Sequence, residues 1–211
     1  MKTLRFVPRL LLLLLLFPAL LPAQTPLGGA IRVATAGGLQ GPSVAMSPRG
    51  DFVVAWSELR SGNRQTAVFC RLYAADGSPS TAPVLIHRGT TAARTVGVRL
   101  AMMTDGSFVA VFPTPAALLA QRFTARGKPM GGNLVVTPES VASFEIGSRG
   151  DGSFAVTWVG DLPGIATRAF GPAGQPLGPQ VAVVDASTGA PRLAVGADGS
   201  FLVVWVQVET S

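Results

Sequence analysis

The chain of 211 residues holds a single cysteine, a single histidine and a single tyrosine, and only 13% of it is charged. One cysteine, Cys70, excludes an intrachain disulfide and any cysteine-based metal site, so the fold must be held by its core. One histidine, His87, excludes a His-rich zinc centre. With no Gly-x-Ser-x-Gly elbow beside it, nothing here builds a Ser–His–Asp triad. No Asp-x-Asp-x-Asp loop is present for calcium. No metal, cofactor or catalytic residue is therefore expected. The longest apolar run, Leu10 to Leu21, is about a dozen residues, short of the roughly 20 that a spanning helix needs.

That run follows Lys2, Arg5 and Arg9, is broken by Pro18, and leads into Leu21-Pro22-Ala23. A basic start, an apolar middle and a small-residue exit describe a secretory signal over residues 1–23, cut after Ala23. The remaining chain, 24–211, is expected to be secreted or periplasmic and free of the membrane; a membrane anchor is the alternative reading of the same run. Three of the 17 basic residues lie in that leader, leaving 14 against 11 acids and a net charge of about +3. Such a balance gives no reason to expect nucleic acid. Cys70 sits in an apolar strand pattern and reads as a buried, inert thiol.

The body of the chain repeats itself. Phe52-Val53-Val54-Ala55-Trp56, Phe108-Val109-Ala110-Val111-Phe112, Phe154-Ala155-Val156-Thr157-Trp158 and Phe201-Leu202-Val203-Val204-Trp205 align at spacings of 56, 46 and 47 residues. Eight positions before each Phe stands Val44, Leu100, Ile146 or Leu193, followed by a small residue. The turn between is Arg49-Gly50-Asp51, Asp105-Gly106-Ser107, Asp151-Gly152-Ser153 or Asp198-Gly199-Ser200, a strong hairpin signal. Downstream, a third run ends at Tyr73, Phe123 or Phe170; Gly77, Gly127 or Gly174 follows, then Pro79, Pro129 or Pro176, and then a fourth apolar run.

Each unit is thus a four-strand antiparallel meander. Its second strand is apolar on both faces, as a strand covered by neighbours on both sides must be. Four strands per 46 to 47 residues match propeller blades. The fold class expected is all-β, with four-stranded meander repeats arranged as β-propeller blades in a partial array; a β-sandwich or β-solenoid is the alternative. The units fall at about 42–96, 97–140, 143–189 and, incomplete, 190–211, with 26–36 matching a leading fourth strand. That leading strand could close the last blade into a ring of four; a partial array is favoured, because a missing third strand leaves an edge open to pairing.

The pattern Asp-Gly-Ser-Phe-x-Val-x-Trp, then Arg-x-Phe, then Gly-x-Pro-x-Gly, resembles repeats of large secreted bacterial β-propeller-type proteins, over roughly Thr25 to Gln207. The resemblance implies an architecture and a company of adhesive or calcium-binding modules. It carries over no catalytic residue.

Arg-Gly-Asp occurs at 49–51 and again at 149–151, both on the repeated turn, where Gly-Asp is expected without any adhesive role. The departure from the repeat is more informative. The first unit carries two insertions, Ser57 to Thr66 after its second strand and His87 to Val96 after its fourth. In a meander both connections emerge at one end of the sheet. They bring together Arg60, Arg64, His87, Arg88 and Arg94 against one acid, Glu58. Arginine offers paired N–H donors to carboxylate and sulfate, so an acidic glycan or acidic protein surface is the expected partner, against ordinary solvated loops. The functional expectation is an exported, non-enzymatic binding or structural module; a polysaccharide-active propeller enzyme or its accessory domain is the alternative.

Overall fold

The structure, a computed structural model, describes residues 28–35, 37–60, 65–90, 97–160, 164–184 and 189–207. The chain divides into two compact units, residues 1–30 and 31–211. Of the first unit only 28–30 are described; they are exposed and carry no strand.

The second unit is all strand and turn among its described residues. β1 (Leu39–Met46), β2 (Phe52–Arg60), β3 (Gln65–Tyr73) and β4 (Val84–Thr90) form the first sheet, in chain order. β5 (Arg99–Met102), β6 (Phe108–Pro113), β7 (Leu118–Phe123) and β8 (Pro129–Thr137) form the second. β9 (Ser143–Ser148), β10 (Phe154–Val159), β11 (Ile165–Phe170) and β12 (Val181–Val184) form the third. β13 (Arg192–Val195) and β14 (Phe201–Val204) make a two-stranded fourth. Every pairing is antiparallel.

The turns explain the glycines. In the first hairpin of each sheet, Gly50, Gly106, Gly152 and Gly199 sit at φ of 89°, 84°, 92° and 90°. Met103 N–H donates to Ser107 O and Gly106 N–H to Met103 O, at 2.8 and 3.1 Å. This is a three-residue loop whose last position is left-handed, which only glycine adopts without steric cost. The third-to-fourth turn repeats the same pattern around Gly77, Gly127 and Gly174.

The sheets stack face to face, and the stacking explains the doubly apolar second strands. Here the leading face of a sheet looks to its predecessor in the chain and the trailing face to its successor. Val53 and Ala55 of β2 share one buried cluster with Phe108, Ala110 and Phe112 of β6. Val109 and Val111 of β6 share the next with Phe154, Val156 and Trp158 of β10. The β6 strand is thus buried from Phe108 through Phe112 and β10 from Phe154 through Trp158. Alternate residues serve opposite neighbours, as the two-residue strand period requires. The innermost strands β1, β5, β9 and β13 pack one against the next.

Within each complete sheet a pair of aromatics locks the second strand to the third. Phe52 stacks on Tyr73 at 4.9 Å, and Phe108 on Phe123 and Phe154 on Phe170 at 4.8 Å. Cys70 is fully buried in the first boundary, where burial pushes its thiol up to about 12.

The first sheet departs from expectation in one respect. The described residues of its insertions are strand: Ser57–Arg60 pair with Gln65–Val68, and Gln65–Val68 with His87–Thr90. Pairing satisfies their backbone groups, which extended loops would leave to water. Residues 61–64 and 91–96 lie outside the described residues. Residues 31–35, matched by sequence to a fourth strand, carry no strand of their own.

Candidate functional site

The array has two ends. One gathers the first-to-second and third-to-fourth hairpins; the other gathers the second-to-third connections and the links between sheets. They differ in chemistry.

The hairpin end is spent on structure. Asp105 Oδ1 accepts from Ser107 N–H at 2.9 Å and from its hydroxyl at 2.6 Å; Asp151 and Ser153 do the same, as do Asp198 and Ser200 at 3.0 and 2.6 Å. These bonds hold all three carboxyls below the usual carboxylate range. Neighbouring sheets are stitched there as well. Thr104 Oγ1 donates to Gly150 O at 3.1 Å, Arg122 to Ala173 O at 2.7 Å, and Arg149 to Ala197 O through Nε at 3.1 Å and a terminal nitrogen at 2.8 Å. The two Arg-Gly-Asp copies are not equivalent. Gly50 takes the left-handed turn position; in the second copy that position belongs to Gly152. Arg149 is committed to Ala197 and to Asp151 at 3.2 Å.

The linker end carries the aromatic that closes each second strand. Trp56 N–H donates to Glu58 at 3.1 Å, and Trp158 N–H to Glu139 at 3.0 Å. Phe112 instead stacks on the His87 ring of the preceding sheet at 4.9 Å. Burial lowers the His87 pKa from its ordinary value. Deeper in, on the innermost strands, Arg99 of β5, Glu145 of β9 and Arg192 of β13 form a ladder across three sheets. Arg99 stands 3.7 Å and Arg192 3.9 Å from the Glu145 carboxylate. The Arg99 guanidinium also lies 5.8 Å over the Phe144 ring.

Of the sequence-derived site residues, Arg60 and Arg88 stand on the same sheet at this end. The backbone of Arg60 pairs with Gln65, and Arg88 pairs with Ala67. His87 and Arg88 are adjacent on β4, so they take opposite faces: His87 turns to Phe112 on the trailing side, and Arg88 is exposed. Arg64 and Arg94 lie outside the described residues.

The Arg99–Glu145–Arg192 ladder was not singled out by sequence. Its members, with Ser43, each precede the apolar residue that marks the repeat, at Val44, Leu100, Ile146 and Leu193. Serine, arginine, glutamate and arginine show no repetition, so only strand adjacency joins them. Among the described residues no group of three or more His, Cys, Asp or Glu is placed to hold a metal ion.

The fold itself matches solved structures. The GH93 α-L-arabinofuranosidase of Fusarium graminearum with arabinobiose superposes with a TM-score of 0.51 at 14% identity, over 78% of this chain and 58% of that one. The α-L-arabinanase of Penicillium chrysogenum complexed with arabinobiose gives 0.52 at 11% identity, over the same shares. The fold is that of a β-propeller. This chain spans a little under three fifths of the length of those two propellers, and its blades form an open arc. No family profile matches the sequence, and no curated protein is similar to it. No helix among the described residues is long and apolar enough to cross a membrane.

Proposed function

We propose that the chain is an exported, non-catalytic propeller module that binds an anionic glycan at its linker end. The Arg99–Glu145–Arg192 ladder carries this reading. Two guanidinium groups share one carboxylate at 3.7 and 3.9 Å, beyond the roughly 2.7–2.9 Å of a tight charge-assisted bond. The trio keeps a net positive charge beside the Phe144 ring, and Arg192 is 65% exposed. A sugar bearing a carboxylate or sulfate finds paired donors there, set on the innermost strands. Arg88, exposed on the first blade, adds basic charge to the same end; an acidic protein surface would meet the same donors.

Titration calorimetry with uronic-acid oligosaccharides tests the reading, with neutral arabinobiose as the control. Binding of the acidic sugar is expected, weakened about tenfold or more by Arg192→Ala. Equal binding of both sugars, or indifference to Arg192→Ala, would contradict it.

A second reading, hydrolysis of a polysaccharide, draws on the likeness to arabinose-active propellers and on Glu145 standing on an innermost strand. Canonical glycoside hydrolysis uses two carboxyl groups, one on either side of the scissile bond, and Glu145 is instead flanked by two arginines. Release of reducing sugar from arabinan, abolished by Glu145→Gln, would favour this reading over the first.

A further inference from the structure

The arc presents two unmatched faces. On the first blade, Val44 and Met46 of β1 are 63% and 62% exposed on the leading face. On the fourth, Leu202 and Val204 of β14 are 64% and 50% exposed on the trailing face. Three of these positions have counterparts buried inside the chain, and Met46 aligns with Met102, half-buried against the first boundary. Val44 aligns with Leu100 and Ile146, both less than a tenth exposed at internal boundaries. Leu202 and Val204 align with Val53 and Ala55, and with Val109 and Val111, all buried. The two ends are therefore the two halves of an interface that the chain already builds between its own blades.

The leading face also holds an unfilled space. A cleft of about 410 Å³ is lined by Ile31, Val33, Leu39, Pro42, Val54 and Trp56, among others. At the next boundary, the positions of Val54 and Trp56 belong to Ala110 and Phe112, and Val53 and Ala55 pack in the same cluster with them. Segment 31–35 marks the far wall. A Cβ on Gly77 would meet Ile31 at 2.7 Å, as one on Gly127 would meet Val84 of β4 at 3.5 Å and one on Gly174 would meet Leu134 of β8 at 2.9 Å. Ile31 thus stands where the outer strand of a preceding blade belongs, and the inner strands of that blade are what the cleft receives.

We infer that the occupant is a second copy of this chain, which seats the trailing face of its β13–β14 hairpin on the leading face of β1–β2. Leu202 and Val204 of that copy enter the cleft beside Val54 and Trp56, as Val53 and Ala55 do inside the chain. The contact is heterologous, head to tail, so each copy keeps one free face until a ring closes or a file of copies forms.

Sedimentation of the purified chain, from the micromolar range to about 100 µM, tests this. Concentration-dependent assembly is expected. The paired substitutions Val44→Asp with Met46→Asp, and Leu202→Asp with Val204→Asp, should each weaken it about tenfold or more. All four sites are largely exposed, so the variants should keep the parent circular dichroism spectrum. A head-to-tail contact makes one further demand: the two variants, mixed, pair one to one through their remaining intact faces and go no further. A parent that stays monomeric throughout the range, or an assembly that survives both pairs of substitutions, would overturn the inference.

Discussion

Trp158 donates its indole N–H to Glu139 at 3.0 Å, across the boundary between the second and third blades. The same carboxylate oxygen accepts from the Thr137 hydroxyl at 3.0 Å. Trp158 is fully buried, so removing its acceptor leaves a polar group without water or partner. Glu139→Ala is expected to cost about 1–3 kcal/mol in urea unfolding, and Glu139→Gln, which keeps a carbonyl acceptor, distinctly less. Equal losses from the two would mean that the bond holds nothing.

The aromatic stacks give a contrast inside one molecule. Phe154 is buried and stacked on Phe170 at 4.8 Å. Phe201 occupies the same repeat position in a two-stranded sheet and is 45% exposed. Phe154→Ala should cost about 3–5 kcal/mol, and Phe201→Ala about 1 kcal/mol or less. Comparing the two unfolding midpoints checks the account of the second-to-third strand lock.

His87 gives the fold a pH dependence near neutrality. Its pKa is lowered by burial against the following blade, so the unfolded chain binds the proton more readily. Stability is therefore full above the ordinary histidine value of about 6.5 and falls as the pH drops through the lowered one. Denaturation from pH 7.5 to 5 should show this decline, and His87→Phe, which keeps a ring against Phe112, should flatten it. The carboxyls of the hairpin turns act in a separate window, below about pH 4.

The architecture could be read from residues because a blade boundary is demanding. Every position from Phe108 to Phe112 and from Phe154 to Trp158 meets a neighbour, so every position is apolar or small, and the pattern returns at each blade. The hairpin glycines were equally legible, since Gly50, Gly106, Gly152 and Gly199 answer to one backbone angle. The site was less so. His87 and Arg88 are neighbours in sequence, and strand alternation parts them. Arg99, Glu145 and Arg192 lie 46 and 47 residues apart and meet only because innermost strands stack. Chemistry built across copies of a repeat leaves no periodic trace, because each copy contributes a different residue.

Cys70 offers a reporter that needs no mutation. It is fully buried, and burial pushes its thiol up to about 12. Almost no thiolate is present at pH 8, and reagents react with the thiolate. Labelling by a disulfide reagent should be slow in native buffer and should rise with urea in step with unfolding. Rapid stoichiometric labelling of the native chain would show that the first blade boundary opens.

The central claim is that second strands lie sealed between neighbouring blades, and backbone hydrogen exchange measures that seal directly. Amides of Phe108–Phe112 in β6 and of β10 (Phe154–Val159) should exchange slowest, and at similar rates, with the outer strand β12 (Val181–Val184) far faster. Exchange of β6 or β10 as fast as β12 would contradict the stacked-blade fold and the sites built on it.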